Sequence, residues 1–267
     1  MKAHPTAVIS PEAVLAEDVE VGPYTVIEGP VQIGAGSRVA SHACLRGDLR
    51  IGPGCQIGSG AILGADPQSV GFDPAIQSGV EIGEGNVIRE YVTIHRSLYE
   101  GQSTRIGRNN FLMTGAHLGH DVIMGDHNVV ANNCLLAGHV EIGHRCFLGG
   151  GSAFHQFMRI GDYVIVRGQS AFGLDIPPFV TAAGVNRISG LNVIGLRRGG
   201  FDRDARAEIK KAFDLLYRSG LNLTQALEAA DSRDSWSDQA RLFIDFFRVP
   251  GRRGFCLKRF GGEDPDL

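Results

Sequence analysis

The stretch Ile106–Phe172, IGRNNFLMTGAHLGHDVIMGDHNVVANNCLLAGHVEIGHRCFLGGGSAFHQFMRIGDYVIVRGQSAF, is apolar at every sixth residue: Ile106, Leu112, Leu118, Met124, Val130, Leu136, Ile142, Leu148, Phe154, Ile160, Val166 and Phe172. The same period runs upstream through Ile9, Leu15, Val21, Ile27, Ile33, Val39, Leu45, Ile51, Ile57 and Leu63, and again at Ile82, Ile88 and Ile94. About half the residues of an ordinary chain are apolar, so unbroken runs of this length are not accidental. Two residues before most of these positions stands a small or β-branched residue, as at Val19, Thr25, Ala43, Cys55, Ala116, Val122, Cys134 and Ser152. A period-2 pair inside a period-6 unit describes a two-residue strand followed by a turn. Glycine often comes next (Gly22, Gly34, Gly52, Gly58, Gly119, Gly143, Gly161), which points to a turn conformation costly to residues with a Cβ. Apolar spacings of three and four, the mark of an amphipathic helix, are missing from these segments. Three units close a triangular coil, and coils stack by parallel pairing about 4.8 Å apart. The predicted fold is mainly β, a parallel β-helix of about eight coils.

Composition sets the outer limits. The 267 residues are 43% hydrophobic and 21% charged, enough for a sizeable core. The net charge of -3 gives no reason to expect a nucleic-acid partner. Neither a leader-like opening nor a membrane-length apolar run is evident, and the five cysteines lack metal or redox spacing. These features place the chain in the cytoplasm with its cysteines reduced.

Two breaks interrupt the period, near 66–78 (DPQSVGFDPAIQS) and near 96–103. Breaks in a solenoid are loops projecting from a regular prism, and such loops commonly carry function. Pro177 and Pro178 predict the end of the ladder. Beyond a linker the period changes. Ala205, Ile209, Ala212, Phe213 and Leu216 share one helical face behind Asp202 as N-cap, and shorter helices are predicted near 224–230 and 237–247. The tail from Arg252 to Arg259 is basic and reads as frayed or docked late. The division is a β-helix over 1–190 and a helical domain over 191–267. Three helices of this size hold no core alone, so they should pack on the prism or on a neighbour.

Histidines crowd one region: His117, His120, His139, His144 and His155. With an 18-residue coil, Gly138 lies over His120. His120 is two residues past the inward Leu118, hence on a corner that solvent reaches, where an imidazole suits general-base work. Asp121 can hold one tautomer. Gly138 can bring a bare N–H to a developing oxyanion. The acceptor itself then attacks, with no serine or cysteine nucleophile. A metal reading competes: His139-Val-Glu-Ile-Gly-His144 has the spacing of hexapeptide-repeat carbonic anhydrases. Its third ligand would fall near Ser103, with His95 and His117 out of place, so no metal is expected.

The stretch Asn110–Phe157, together with IREYVTIHR (Ile88–Arg96), the DIPP run, NVIGLRRGGF (Asn192–Phe201) and YRSG (Tyr217–Gly220), resembles the UDP-N-acetylglucosamine O-acyltransferases that begin lipid A (lipopolysaccharide) synthesis. The likeness spans nearly the whole chain. It implies a left-handed coil, a homotrimer with its cleft between subunits, and transfer of a 3-hydroxyacyl chain from acyl carrier protein to the sugar 3-hydroxyl. The donor rides on the carrier's phosphopantetheine, and the enzyme itself holds no cofactor. By the same resemblance His120 is the general base, Asp121 its orienter and Gly138 the oxyanion donor. His95, His117, His139, His155 and Gln156 line the cleft, as do Gln68 and Ser69 of the first loop. Gly168 leaves room for a long acyl chain, while Asn192, Arg197 and Arg198 lie near the nucleotide and its phosphates. The chain also departs from the family. Where an Asp and a Lys usually follow the loop glutamine, it has Gln68-Ser69-Val70-Gly71, and Ile194 and Gly199 replace an often acidic residue and an often arginine one. The base set is kept and the sugar-facing set is changed. Alternatives are a 3-amino sugar acceptor giving an amide, another nucleotide sugar as substrate of a related acyl- or acetyltransferase, and a non-catalytic trimeric scaffold.

Overall fold

A computed structural model gives the structure of residues 1–233 and 235–257. Lys258 and Arg259, the end of the predicted basic tail, lie outside the described residues. The period-6 units form a triangular prism with three sheet faces. Among the described residues the first face holds 11 strands, the second nine and the third eight. The chain visits the faces in the order first, second, third, and the coil is left-handed. Within each face the strands pair in parallel, as where His117↔Leu135 and Leu118↔Leu136 stand in register 18 residues apart. Leu45, Leu63, Ile94, Leu118 and Leu136 fill the interior and are wholly buried. Small inward residues, among them Ala116, Cys134 and Ser152, complete the fill. Each buried leucine contributes about 2 kcal/mol.

Glycine after the apolar residue proves to answer a different need from the one its sequence position suggests. None of Gly22, Gly34, Gly58 or Gly119 has a positive φ, but a Cβ at Gly58 would lie 2.5 Å from the carbonyl carbon of Arg89, and one at Gly119 2.8 Å from the Gly138 nitrogen. Close approach of the next coil's backbone requires glycine there. The left-handed conformation falls two residues later, at Tyr24, Tyr91, Asp121, His139 and Phe157.

The prolines at 177 and 178 do not end the ladder. They turn the corner from the third face to the first, where Val180–Ala183 still pairs in parallel with Ile165–Val166. Pairing stops one strand later, when Arg187–Leu191 folds back antiparallel on Val180–Ala183. The segment read as a linker contains a helix, α1 (Val193–Arg198), capped by Asn192. Then come α2 (Arg203–Arg218), α3 (Leu223–Asp231) and α4 (Asp238–Phe246), capped by Asp202, Asn222 and Ser237. Ile209, Phe213 and Phe243 are buried between them. The tail is docked rather than frayed as far as Leu257: the Cys256 N–H donates to the Asp175 carbonyl (2.9 Å), and Tyr217 Oη to the Cys256 carbonyl (2.6 Å).

Candidate active site

Both interruptions of the repeat fall on one edge. The first joins Ile62–Ala65 to Gly79–Ile82 and the second joins Thr93–His95 to Ser103–Ile106, each passing from the second face to the third. His120, Gly138, His139, His155 and Gln156 line this same edge, because each follows a second-face strand, and His95 ends one. His117 stands beside it on strand His117–Leu118.

The period sorts these residues into columns along the prism. His120, Gly138 and Gln156 make one, and Asp121, His139 and Phe157, with φ near 60°, 60° and 66°, make the next. Register is held by the His139 N–H on the His120 carbonyl (3.0 Å) and the Phe157 N–H on the Gly138 carbonyl (3.1 Å). His120 Nδ1 donates to Asp121 Oδ2 at 2.8 Å, which leaves Nε2 free. The corner is less open than its position in the repeat implies: the His120 and Asp121 side chains are only 14% and 10% exposed, and the second loop bonds to Asp121. Gly138 is necessary here. A Cβ at that position would come within 2.3 Å of His120 Cε1 and 2.5 Å of Nε2. Among the described residues its N–H meets no acceptor.

Asp121 is held by residues that sequence reading passed over. Ser97 Oγ donates to Oδ1, the Leu98 N–H to Oδ2 (3.2 Å), and the Asp121 N–H to Thr104 Oγ1 (2.8 Å). Burial acts to raise the carboxyl, but hydrogen bonds from His120, Ser97 and Leu98 hold it below the usual carboxylate range. His139 Nε2 lies 3.8 Å from the same Asp121 oxygen. His120, Asp121 and His139 bring three ligand atoms within 4.8 Å of one another and could take a divalent cation. The spacing considered for a metal site does not converge: His144 lies across the third face from His139 and accepts the Asp126 N–H at 2.9 Å.

His117 Nδ1 shares a hydrogen with Thr93 Oγ1 (2.8 Å), and burial, with His95 nearby, pushes its pKa down to about 4. His95 donates from Nδ1 to the Asp66 carbonyl (2.6 Å) and leaves Nε2 buried without a partner. Burial lowers its pKa too. Next to it Arg96, also unforeseen, ties down the first loop. It donates to Asp66 Oδ1 (2.8 Å), the Pro74 carbonyl (3.0 Å), Ser78 Oγ (3.1 Å) and the Ile76 carbonyl, and lies over the Phe72 ring. Gln68 is exposed on that loop and Ser69 half-buried.

Four predicted residues lie elsewhere in the chain. Gly168 is exposed where the first face meets the second. Asn192 is buried at the third-to-first edge, where its side chain accepts the Gly195 N–H (2.8 Å) and donates to the Tyr163 carbonyl (2.7 Å). It is a helix cap with little capacity left. Arg197 and Arg198 are exposed in the last turn of α1. Gly199 accommodates Tyr163, whose Cε1 would lie 2.6 Å from any Cβ there.

A prism of hexapeptide coils with a histidine–aspartate pair at its looped edge defines the chain as a hexapeptide-repeat acyltransferase. The bacterial transferase hexapeptide family matches residues 12–47 and 103–138, and the family described as UDP N-acetylglucosamine O-acyltransferase, domain 2, matches residues 175–256. A curated acyl-[acyl-carrier-protein]–UDP-N-acetylglucosamine O-acyltransferase from Halorhodospira halophila is 42% identical over 265 residues, covering 92% of this chain and 95% of the relative. One from Gloeothece citriformis is 42% identical over 236 residues, covering 86% and 78%. The crystal structure of a UDP-N-acetylglucosamine acyltransferase from Bacteroides fragilis superposes with a TM-score of 0.89 at 38% identity, covering 94% of this chain and 98% of that one. The chain belongs to the acyl-[acyl-carrier-protein]–UDP-N-acetylglucosamine O-acyltransferase family. Among the described residues no helix is long and apolar enough to cross a membrane.

Proposed function

We propose that this enzyme transfers a 3-hydroxyacyl chain from acyl carrier protein to the 3-hydroxyl of UDP-N-acetylglucosamine in the cytoplasm, with His120 as general base. The observation that carries this reading is the 2.8 Å bond from His120 Nδ1 to a buried carboxylate, which leaves Nε2 as the proton acceptor. Nε2 takes the sugar hydroxyl proton as that oxygen attacks the thioester carbonyl carbon. The oxyanion forms beside the Gly138 N–H. Collapse breaks the carbon–sulfur bond, and the pantetheine thiolate takes the proton back from His120, giving the ester and the free carrier thiol. The base set supplies the whole proton cycle, with no cofactor assigned a step.

The sequence-matched residues occupy three edges of one prism: His120 on the looped edge, Gly168 on another, Asn192 with Arg198 near the third. A single chain does not gather them. A cyclic homotrimer would put one chain's looped edge against a neighbour's other edges, and this supports a cleft between subunits. Mixed trimers of two inactive chains, His120→Ala and Arg198→Ala, should regain activity on co-refolding. No recovery would count against a shared cleft.

A second reading concerns the acceptor. By the family resemblance, Ser69 and Gly71 stand where an acidic and a basic residue are usual, which favours a sugar bearing a 3-amino group and an amide product. Purified enzyme offered acyl carrier proteins of several chain lengths with both sugars, and its products weighed, separates the two. Ester from the ordinary sugar supports the first reading, amide alone the second, and no acylated sugar rejects both.

A further inference from the structure

We infer that Arg252 is a positioning residue for acyl transfer: through Phe157 it holds His139 in place, so that the Asp121 carboxylate stays with His120. This rests on the reading of His120 as the base.

The geometry is a continuous stack. Asp121, His139 and Phe157 occupy successive turns of the left-handed column. The His139 and Phe157 rings lie nearly parallel, 9° apart in tilt with centroids at 4.4 Å. The Arg252 guanidinium covers the other face of this pair, its Cζ 4.4 Å from the Phe157 centroid. Cation over ring is an attractive arrangement. Arg252 arrives from far along the chain, but its place is fixed. The following segment is bound at both main-chain groups of the buried Asp175, which accepts the Cys256 N–H (2.9 Å) and donates to the Gly254 carbonyl (2.8 Å). Asp175 in turn pairs with Arg159 at 2.7 Å. Arg253, next in line, contacts His155 Nδ1 on the same edge.

The stack matters because two imidazoles address one oxygen. Asp121 Oδ2 is 2.8 Å from His120 Nδ1 and 3.8 Å from His139 Nε2. A charged or rotated His139 would close that gap and draw the carboxylate from His120. The groups facing His139 are Asp121, His120, Tyr99 and Arg252, with Glu100, Arg105 and Glu141 around the adjoining cavity. Burial first, helped by the positive charge of Arg252, outweighs Asp121 and keeps His139 below its ordinary value. Arg252 thus acts on His139 both by covering the stack and by charge.

The test compares R252M, which keeps bulk without charge, R252K, H139Q and the R252M/H139Q double variant in the assembled full-length enzyme. It reads pH profiles of kcat and KM and the ring resonances of His139. For R252M, kcat should fall about threefold to tenfold near pH 6 and less than about twofold near pH 8.5, with KM unchanged. The His139 resonance should titrate at higher pH, R252K should restore the acid limb, and the double variant should be no worse than H139Q. R252M matching wild type throughout with an unmoved resonance overturns the inference. So does a raised KM, or a loss that adds fully to that of H139Q, since either means direct contact with substrate. If the base reading itself fails, H120A keeps its activity while the His139 resonance still reports whether Arg252 governs that ring.

Discussion

The imidazole of His120 fills the space that a side chain at position 138 would occupy: a Cβ on Gly138 would stand 2.5 Å from His120 Nε2. Imidazole and glycine are therefore one device, made by an 18-residue coil that sets them one above the other. Gly138→Ala should push the ring off its Asp121 bond while leaving the prism intact, since the atoms it meets are the end of a movable side chain. The expected result is a fall in kcat of about 100-fold with an unchanged melting temperature. An alanine variant with wild-type kcat would mean that the ring does not work from this position.

Asp121→Asn keeps the shape but removes the charge that fixes the tautomer. Activity should drop about 10²- to 10⁴-fold in kcat, with circular dichroism unchanged. Retention of more than a tenth of the activity would remove Asp121 from the orienting role.

Stability should fall in acid on account of His117. Its pKa is about 4 in the folded chain against about 6.5 unfolded, so between these values the unfolded state binds the extra proton. Stability is full above the unfolded value and declines as pH drops toward 4. The ring is partly solvated, so the loss from this one group should be about 2 kcal/mol or less. Denaturant titration of His117→Asn should show a shallower decline from pH 7 to pH 4.5; a slope equal to wild type would assign the acid loss elsewhere.

Arg96 is the pin of the first loop, nearly buried and bonded to Asp66, Pro74, Ile76 and Ser78. Arg96→Met leaves those acceptors unpaired, which should cost about 2–4 kcal/mol and release residues 66–78 to protease. The KM for the sugar nucleotide should rise more than kcat falls. Protease resistance equal to wild type would show that the loop stands without this cation.

Much of this was readable in advance. Period six gives the prism, and period eighteen puts Gly138 over His120, because a solenoid converts sequence distance directly into position. Phe157 was readable by the same rule, lying 18 residues beyond His139, though nothing in its type signals a partner. Ser97, Thr104 and Arg96 were not, since loop and strand polar residues declare their partners only when the coil closes. The docking of Arg252 on Phe157 depends on how the helices return to the prism, which no local period encodes. The reason for glycine after each apolar residue was misread for a similar cause: neighbouring backbone, not the residue's own φ, decides it.

The most direct measurement is single-turnover acyl transfer from 3-hydroxyacyl carrier protein to UDP-N-acetylglucosamine by wild type and His120→Ala at matched folding and assembly. The account predicts a 3-O-acylated sugar from wild type and a rate lower by at least about 10³-fold in the variant. Equal rates in the two proteins would contradict it.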